Sequence, residues 1–141
     1  MNIGREEIVR CLPHGPAMVL LDRVEAWDEG GIICLASSHR RPDNPLRRRG
    51  RLCVLSGVEY GAQAAALHGT LTGARSGPAS AVLGSVGNVL TARPRLDEIG
   101  GELRVVASVL HAQANGAAYS FTVGPVSGPP ALEGRFTVMY R

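Results

Sequence analysis

Apolar and polar positions along the chain alternate in two registers, one helical and one extended. Residues 4 to 12 read as a short helix, with Asn2 near its start and Pro13 past its end. Residues 17 to 26 (Ala-Met-Val-Leu-Leu-Asp-Arg-Val-Glu-Ala) read as a strand, Asp28-Glu29-Gly30-Gly31 as a turn, and residues 32 to 38 as a second strand. A loop from Arg40 to Arg51, broken by Pro42 and Pro45, separates these from a long helix over residues 53 to 72, which Gly73 can stop. After a turn at Arg75 to Ala79, strands are expected near residues 80 to 92, 102 to 113, 117 to 126 and 131 to 140. Asn115-Gly116 and Ser127-Gly128-Pro129-Pro130 mark the turns between the last three. One long helix followed by consecutive strands predicts an α+β domain: an antiparallel sheet with the helix on one face. At 141 residues, with no repeat and no low-complexity linker, the chain reads as a single domain over 1–141.

The long helix is the unusual element. Gly57, Gly61, Ala65 and Gly69 recur every four residues and so form one smooth stripe. A glycine inside a helix costs up to about 1 kcal/mol, and close approach of neighbouring backbone is the return that would offset it. Glu59 is the only acid in Gly57-Val58-Glu59-Tyr60-Gly61-Ala62-Gln63. A carboxylate among small uncharged residues must be paired, hydrogen-bonded or protonated, and such acids often do chemistry. Its structural alternative is a buried acid satisfied by backbone or by Gln63.

Charge and composition narrow the function. All 15 basic side chains are arginine, which excludes a Schiff-base lysine and a P-loop lysine. Cys11, Cys34 and Cys53 are scattered, with no CxxC pair, so reduced thiols are expected and no metal site. No apolar run reaches the ~20 residues that span a bilayer, and Glu6 and Glu7 do not suit a signal peptide; a cytoplasmic protein without membrane contact is expected. Arg40, Arg41, Arg47, Arg48, Arg49 and Arg51 crowd the loop, opposed only by Asp43. Such a cluster suits carboxylate or phosphate partners, or is merely a solvated loop. Nucleic acid is disfavoured because no stacking aromatics are interleaved.

Two motifs carry a resemblance. Leu12-Pro13-His14 followed by Met18-Val19-Leu20-Leu21-Asp22-Arg23-Val24 resembles the opening of the FabA/FabZ-type 3-hydroxyacyl-acyl-carrier-protein dehydratases. Val58-Glu59-Tyr60-Gly61-Ala62-Gln63-Ala64 resembles their helix motif, an acid followed four residues later by glutamine. Within that family, the small dehydratases of aryl-polyene-type clusters are nearest. The resemblance implies a hot-dog fold, a curled antiparallel sheet wrapped around one long central helix. It also implies dehydration of 3-hydroxyacyl thioesters to trans-2-enoyl thioesters, with the substrate carried on the phosphopantetheine of an acyl carrier protein and no other cofactor. Glu59 would protonate the leaving hydroxyl, Gln63 would orient Glu59, and backbone amides at Gly57 and Val58 would polarise the thioester carbonyl. Arg47, Arg48 and Arg49 would steer the acidic carrier protein.

The resemblance breaks at the base. The family histidine precedes the acid by about fourteen residues, where this chain has Asn44-Pro45-Leu46. His39, at the end of the second strand, is the first replacement expected, and His14 the second. His68 lies on the opposite helix face from Glu59, and His111 sits in a late strand. The resemblance implies a dimer, homomeric or with a related hot-dog subunit, in which the two subunits share each active site. The rival readings are a non-catalytic hot-dog subunit that binds acyl carrier protein or partners an active paralogue, and a hot-dog thioesterase using Glu59 or Asp43 to activate water.

Overall fold

The structure, a computed structural model, describes residues 3–13, 15–73 and 81–140. Its elements in chain order are β1 (Ile3–Gly4), α1 (Arg5–Cys11), β2 (Arg23–Asp28), β3 (Gly31–Ala36), α2 (Gly57–Leu71), β4 (Ala81–Thr91), β5 (Leu103–Gln113), β6 (Gly116–Pro125) and β7 (Leu132–Tyr140). Seven strands form one antiparallel sheet in the order β1-β2-β3-β5-β6-β7-β4. The sheet packs around α2 through β3, β5, β6 and β7, which is the hot-dog arrangement.

Period-two alternation explains the late strands. Leu103, Val105 and Ala107 of β5 point inward, as do Tyr119, Phe121 and Val123 of β6 and Leu132, Phe136 and Val138 of β7. Register shifts at Val24/Ala26, Leu83/Ser85, Gly87/Leu90 and Val109/His111 put bulges into the ladders, and bulges bend strands and increase twist. The sheet can therefore curl far enough to cover the helix. Inside it, α2 is buried on nearly all sides, from Gly57 and Tyr60–Gly61 through Gln63–Gly69. A Cβ at Gly61 would stand 2.8 Å from Phe121 Cδ2, so the missing side chain is what lets the aromatic layer of the sheet close on the helix.

Three local expectations are corrected. The segment 17 to 26 is not one strand: a 3₁₀ turn spans Pro16–Met18, and β2 starts only at Arg23. Leu20 and Leu21 are consecutive and both buried, which a half-buried strand cannot accommodate on one face. The long helix starts later than residue 53, because a 3₁₀ turn over Val54–Ser56 leads into it. The Asn115-Gly116 signal is displaced by one residue: Gln113 pairs with Gly116, so the loop is Ala114-Asn115. Gly116 is already in the sheet, where a Cβ would collide with the Val138 carbonyl oxygen. The short β1 was invisible as a strand of two residues. Asn2 and the turn at Arg75 to Ala79 lie outside the described residues.

Candidate active site

The first turn of α2 forms one wall of a cleft of about 350 Å³. Val58, Glu59, Ala62, Gln63 and Ala66 line it from the helix. Glu59, Ala62 and Ala66 are spaced by three and four residues and so share a face, and the two alanines leave the room. Pro13, Leu46, Leu55 and Ser56 come from the segments around the helix start, and Leu83 of β4 and Val138 of β7 close the far side. Glu59, half-buried, is the one carboxylate in this lining among the described residues.

Gln63 is placed on the cleft, yet its amide does not serve Glu59. Its Oε1 accepts the Leu20 N–H at 2.9 Å and its Nε2 donates to the Met18 carbonyl at 2.8 Å. Gln63 therefore clamps the segment 18–20 to the helix, and its expected role as an orienting partner of Glu59 is corrected. The correction has a simple cause. That segment is irregular rather than a strand, so its backbone groups need a partner from outside the sheet ladder.

Gly57 is corrected as well. Its N–H donates to carbonyls of the preceding 3₁₀ turn, Val54 and Leu55, and is not available to a thioester carbonyl. Gly57 instead admits Leu132, whose Cδ2 would lie 2.6 Å from an added Cβ. Val58 does line the cleft.

His39 stands away from this site. Its ring is fully buried, Nε2–H donates to the Ile99 carbonyl at 3.0 Å, and Nδ1 has no partner among the described residues. Burial pushes its pKa below the usual histidine range; the Ile99 carbonyl opposes this, and Arg40 and Arg47 add to it. It is a neutral structural ring that ties the end of β3 to the segment before β5, and the expectation that it is the base is corrected. His68 is also structural: Nε2–H donates to the Asp28 carbonyl at 2.7 Å, leaving Nδ1 to accept the Tyr119 hydroxyl at 2.8 Å. His111 is exposed, beside Gln113. His14 lies outside the described residues, but Pro13, its neighbour in sequence, lines the Glu59 cleft. Among the described residues no histidine lines that cleft.

At the register of the family histidine the chain has built a polar knot instead. Asn44 Nδ2 donates to the Ser38 carbonyl at 2.9 Å and to the Tyr60 hydroxyl at 3.1 Å. Ser38 Oγ lies 2.7 Å from the same hydroxyl and donates to the Leu20 carbonyl at 2.7 Å. Burial pushes the Tyr60 hydroxyl above its usual range, so it stays a neutral member of this network. Two residues on, Leu46 turns into the cleft and gives it an apolar wall. Sequence reasoning missed this knot. Its one signal was that Tyr60 follows Glu59 and so points about 100° away from it around the helix.

The arginine loop divides in two. Arg47 is largely buried and donates to the carbonyls of His39, Arg41 and Gly50, with Asp97 at 3.8 Å. It braces the loop, which corrects its expected role in docking. Arg48 and Arg49 are exposed. Arg49 and Gly50 both take positive φ, at 53° and 73°, making a tight turn that pairs Arg48 with Arg51. Asp43 is tied to Arg41 through both carboxylate oxygens, and those bonds hold its carboxyl below the usual range.

The family model of the ApeP dehydratase, ApeP-like, matches residues 6–139. No curated protein sequence matches. Among solved structures, the dehydratase heterocomplex ApeI:P from Xenorhabdus doucetiae superposes with a TM-score of 0.81 at 20% identity, covering 95% of this chain and 90% of that one. A mutant thioesterase, PA1618 from Pseudomonas aeruginosa, gives 0.59 at 19% identity over 84% and 79% of the two chains. The PaaI protein of E. coli gives 0.61 at 15% identity over 82% and 80%. At these identities the structural likeness is one of fold, and the family match is what separates dehydratases from thioesterases. A match that runs from α1 to the end of β7, on a chain folded as a hot dog, places this protein in the ApeP-like dehydratase family.

Proposed function

We propose that the chain is a working subunit of a dehydratase acting on 3-hydroxyacyl thioesters of acyl carrier protein, in polyene-type biosynthesis. Glu59 gives a proton to the hydroxyl leaving C3, a base takes the C2 proton, and water and the trans-2-enoyl thioester result. The observation that carries this is the position of Glu59, which among the described residues supplies the carboxylate of a largely apolar cleft. His14 is the histidine this chain offers as base, because it follows Pro13 at the edge of that cleft.

A second subunit belongs to the reading. Strand β4 is the last strand of the sheet, and it exposes Val82, Leu83, Val86 and Leu90, with Leu90 64% accessible. A long apolar edge of this kind is a template for pairing with another chain. Leu83 of that edge also lines the Glu59 cleft, so a related hot-dog subunit seated there would complete the site. The solved ApeI:P assembly is a heterocomplex, which supports a heteromeric partner here.

The test is incubation with 3-hydroxyacyl-carrier proteins of several chain lengths, following loss of water by mass spectrometry. Glu59→Gln should lower the rate by roughly 10² to 10⁴, the usual weight of a general acid, and His14→Ala by a similar factor. Full activity in Glu59→Gln refutes the assignment. Release of free thiol without dehydration would make the protein a thioesterase.

A further inference from the structure

Beside the Glu59 cleft lies a second one, of about 570 Å³, whose lining includes Arg48, Arg51 and Arg95. The two clefts share Leu46 and Ser56, so they meet along one wall. The three arginines come from two distant segments of the chain, which backbone hydrogen bonds hold together. Arg48 and Arg51 flank the tight turn at Arg49-Gly50. The segment after them pairs with the one carrying Arg95: Leu96 N–H donates to the Leu52 carbonyl, and Val54 N–H to the Pro94 carbonyl. Asp97, whose side chain is 6% accessible, accepts from Leu52 N–H and from two nitrogens of Arg95, with Arg47 close by. These bonds hold the Asp97 carboxyl well below the usual carboxylate range, so it stays ionised as the anchor of the frame.

The charges at this cleft are unbalanced. Asp97 is spent on Arg47 and Arg95, and Glu98 reaches only Arg95 at 3.6 Å. No carboxylate among the described residues pairs with Arg48 or Arg51. Exposed and half-buried guanidinium groups carried on paired backbone segments around a concave site, with charge to spare, suit a phosphate better than a flat acidic surface.

We propose that the cleft of Arg48, Arg51 and Arg95 binds the phosphate of a pantetheine arm, whose thioester end then passes between Leu46 and Ser56 toward Glu59. This rests on the reading of the Glu59 cleft as a thioester site. It moves anion recognition from the run Arg47-Arg48-Arg49 to a set completed by the β4–β5 connection. The phosphate could belong to a carrier-protein arm or to coenzyme A.

Cys53 lines the same cleft and is exposed, whereas Cys34 is buried and Cys11 half-buried, so Cys53 reports occupancy. The purified protein is alkylated with iodoacetamide, and Cys53 labelling is read by peptide mass spectrometry in the presence of S-methyl pantetheine, S-methyl phosphopantetheine or S-methyl coenzyme A. Phosphopantetheine should protect Cys53 at roughly tenfold or more lower concentration than pantetheine. Arg51→Gln and Arg48→Gln, both at exposed positions, should erase that difference, and Arg49→Gln should keep it. The ranking of phosphopantetheine against coenzyme A identifies the source of the arm. Equal protection with and without phosphate, no protection by either, or a phosphate preference that survives both substitutions overturns the proposal. Dehydration that depends on Glu59 with no phosphate preference removes this subsite alone. A phosphate preference without dehydration removes the catalytic reading and leaves the subsite.

Discussion

Gly61→Ala tests the packing that holds Glu59 in place, because two effects of known size compete there. An alanine in a helix interior gains about 1 kcal/mol over glycine. Without close packing, the variant would be more stable by that amount. The structure places the new methyl carbon 2.8 Å from Phe121 Cδ2, 3.1 Å from Phe121 Cγ and 3.2 Å from Phe136 Cε2. Carbon atoms in contact prefer about 3.5 to 4.0 Å, so the methyl is too close to two rings at once. Those rings are 1% and 2% accessible and stack on each other with centroids 4.9 Å apart, so neither can swing aside freely. Adding a methylene to such a core costs about 1 to 3 kcal/mol. The repulsion wins, with a net loss of about 1 kcal/mol and a fall in Tm of about 3 °C. Thermal unfolding by circular dichroism and urea titration both read this. An increase in Tm or in urea midpoint would refute the idea that the glycine stripe exists to admit the sheet.

Other outcomes follow from the hydrogen bonds and the exposed edge. Because the pKa of His39 is lowered on folding, the unfolded chain takes up that proton first. Its contribution is complete above the ordinary histidine value of about 6.5 and declines as pH falls below it; the urea midpoint of the native protein should drop from pH 8 to pH 5, and His39→Gln should flatten the slope, an unchanged slope counting against a neutral buried ring. Gln63→Leu strips partners from Leu20 N–H and the Met18 carbonyl and should cost about 1 to 3 kcal/mol in urea unfolding; a loss below about 0.5 kcal/mol would mean the clamp is dispensable. Leu90→Arg, at an exposed position of β4, should leave folding by circular dichroism unchanged and, in a mixture with the related hot-dog subunit, abolish the light-scattering mass of the complex; an intact complex would move the interface elsewhere.

What could be read in advance was local. The 3.6-residue and two-residue periods are written in neighbouring side chains, so α2 and the four late strands were legible to within a few residues. Glu59 stood out because a charge among alanines and glycines is costly wherever that helix ends up. The two motifs then pointed to a hot-dog dehydratase, and the family match and the sheet around α2 agree. The assignments that failed depended on where side chains meet across the fold. Gln63 sits one turn beyond Glu59, yet its amide answers to Leu20 and Met18, 43 and 45 residues away. His39 is adjacent to a functional-looking loop, yet its ring N–H is spent on the carbonyl of Ile99, 60 residues on. Arg47, Arg48 and Arg49 are one run in sequence, but Asp97 helps to draw the first inward while Arg95 arrives to complete a cleft with Arg48 and Arg51. The chain alone determined its periodicity, its helix acid and its family. The tertiary structure decided which polar groups are spent on holding the backbone and which remain for a ligand, because each buried donor and acceptor must find a partner wherever the fold supplies one.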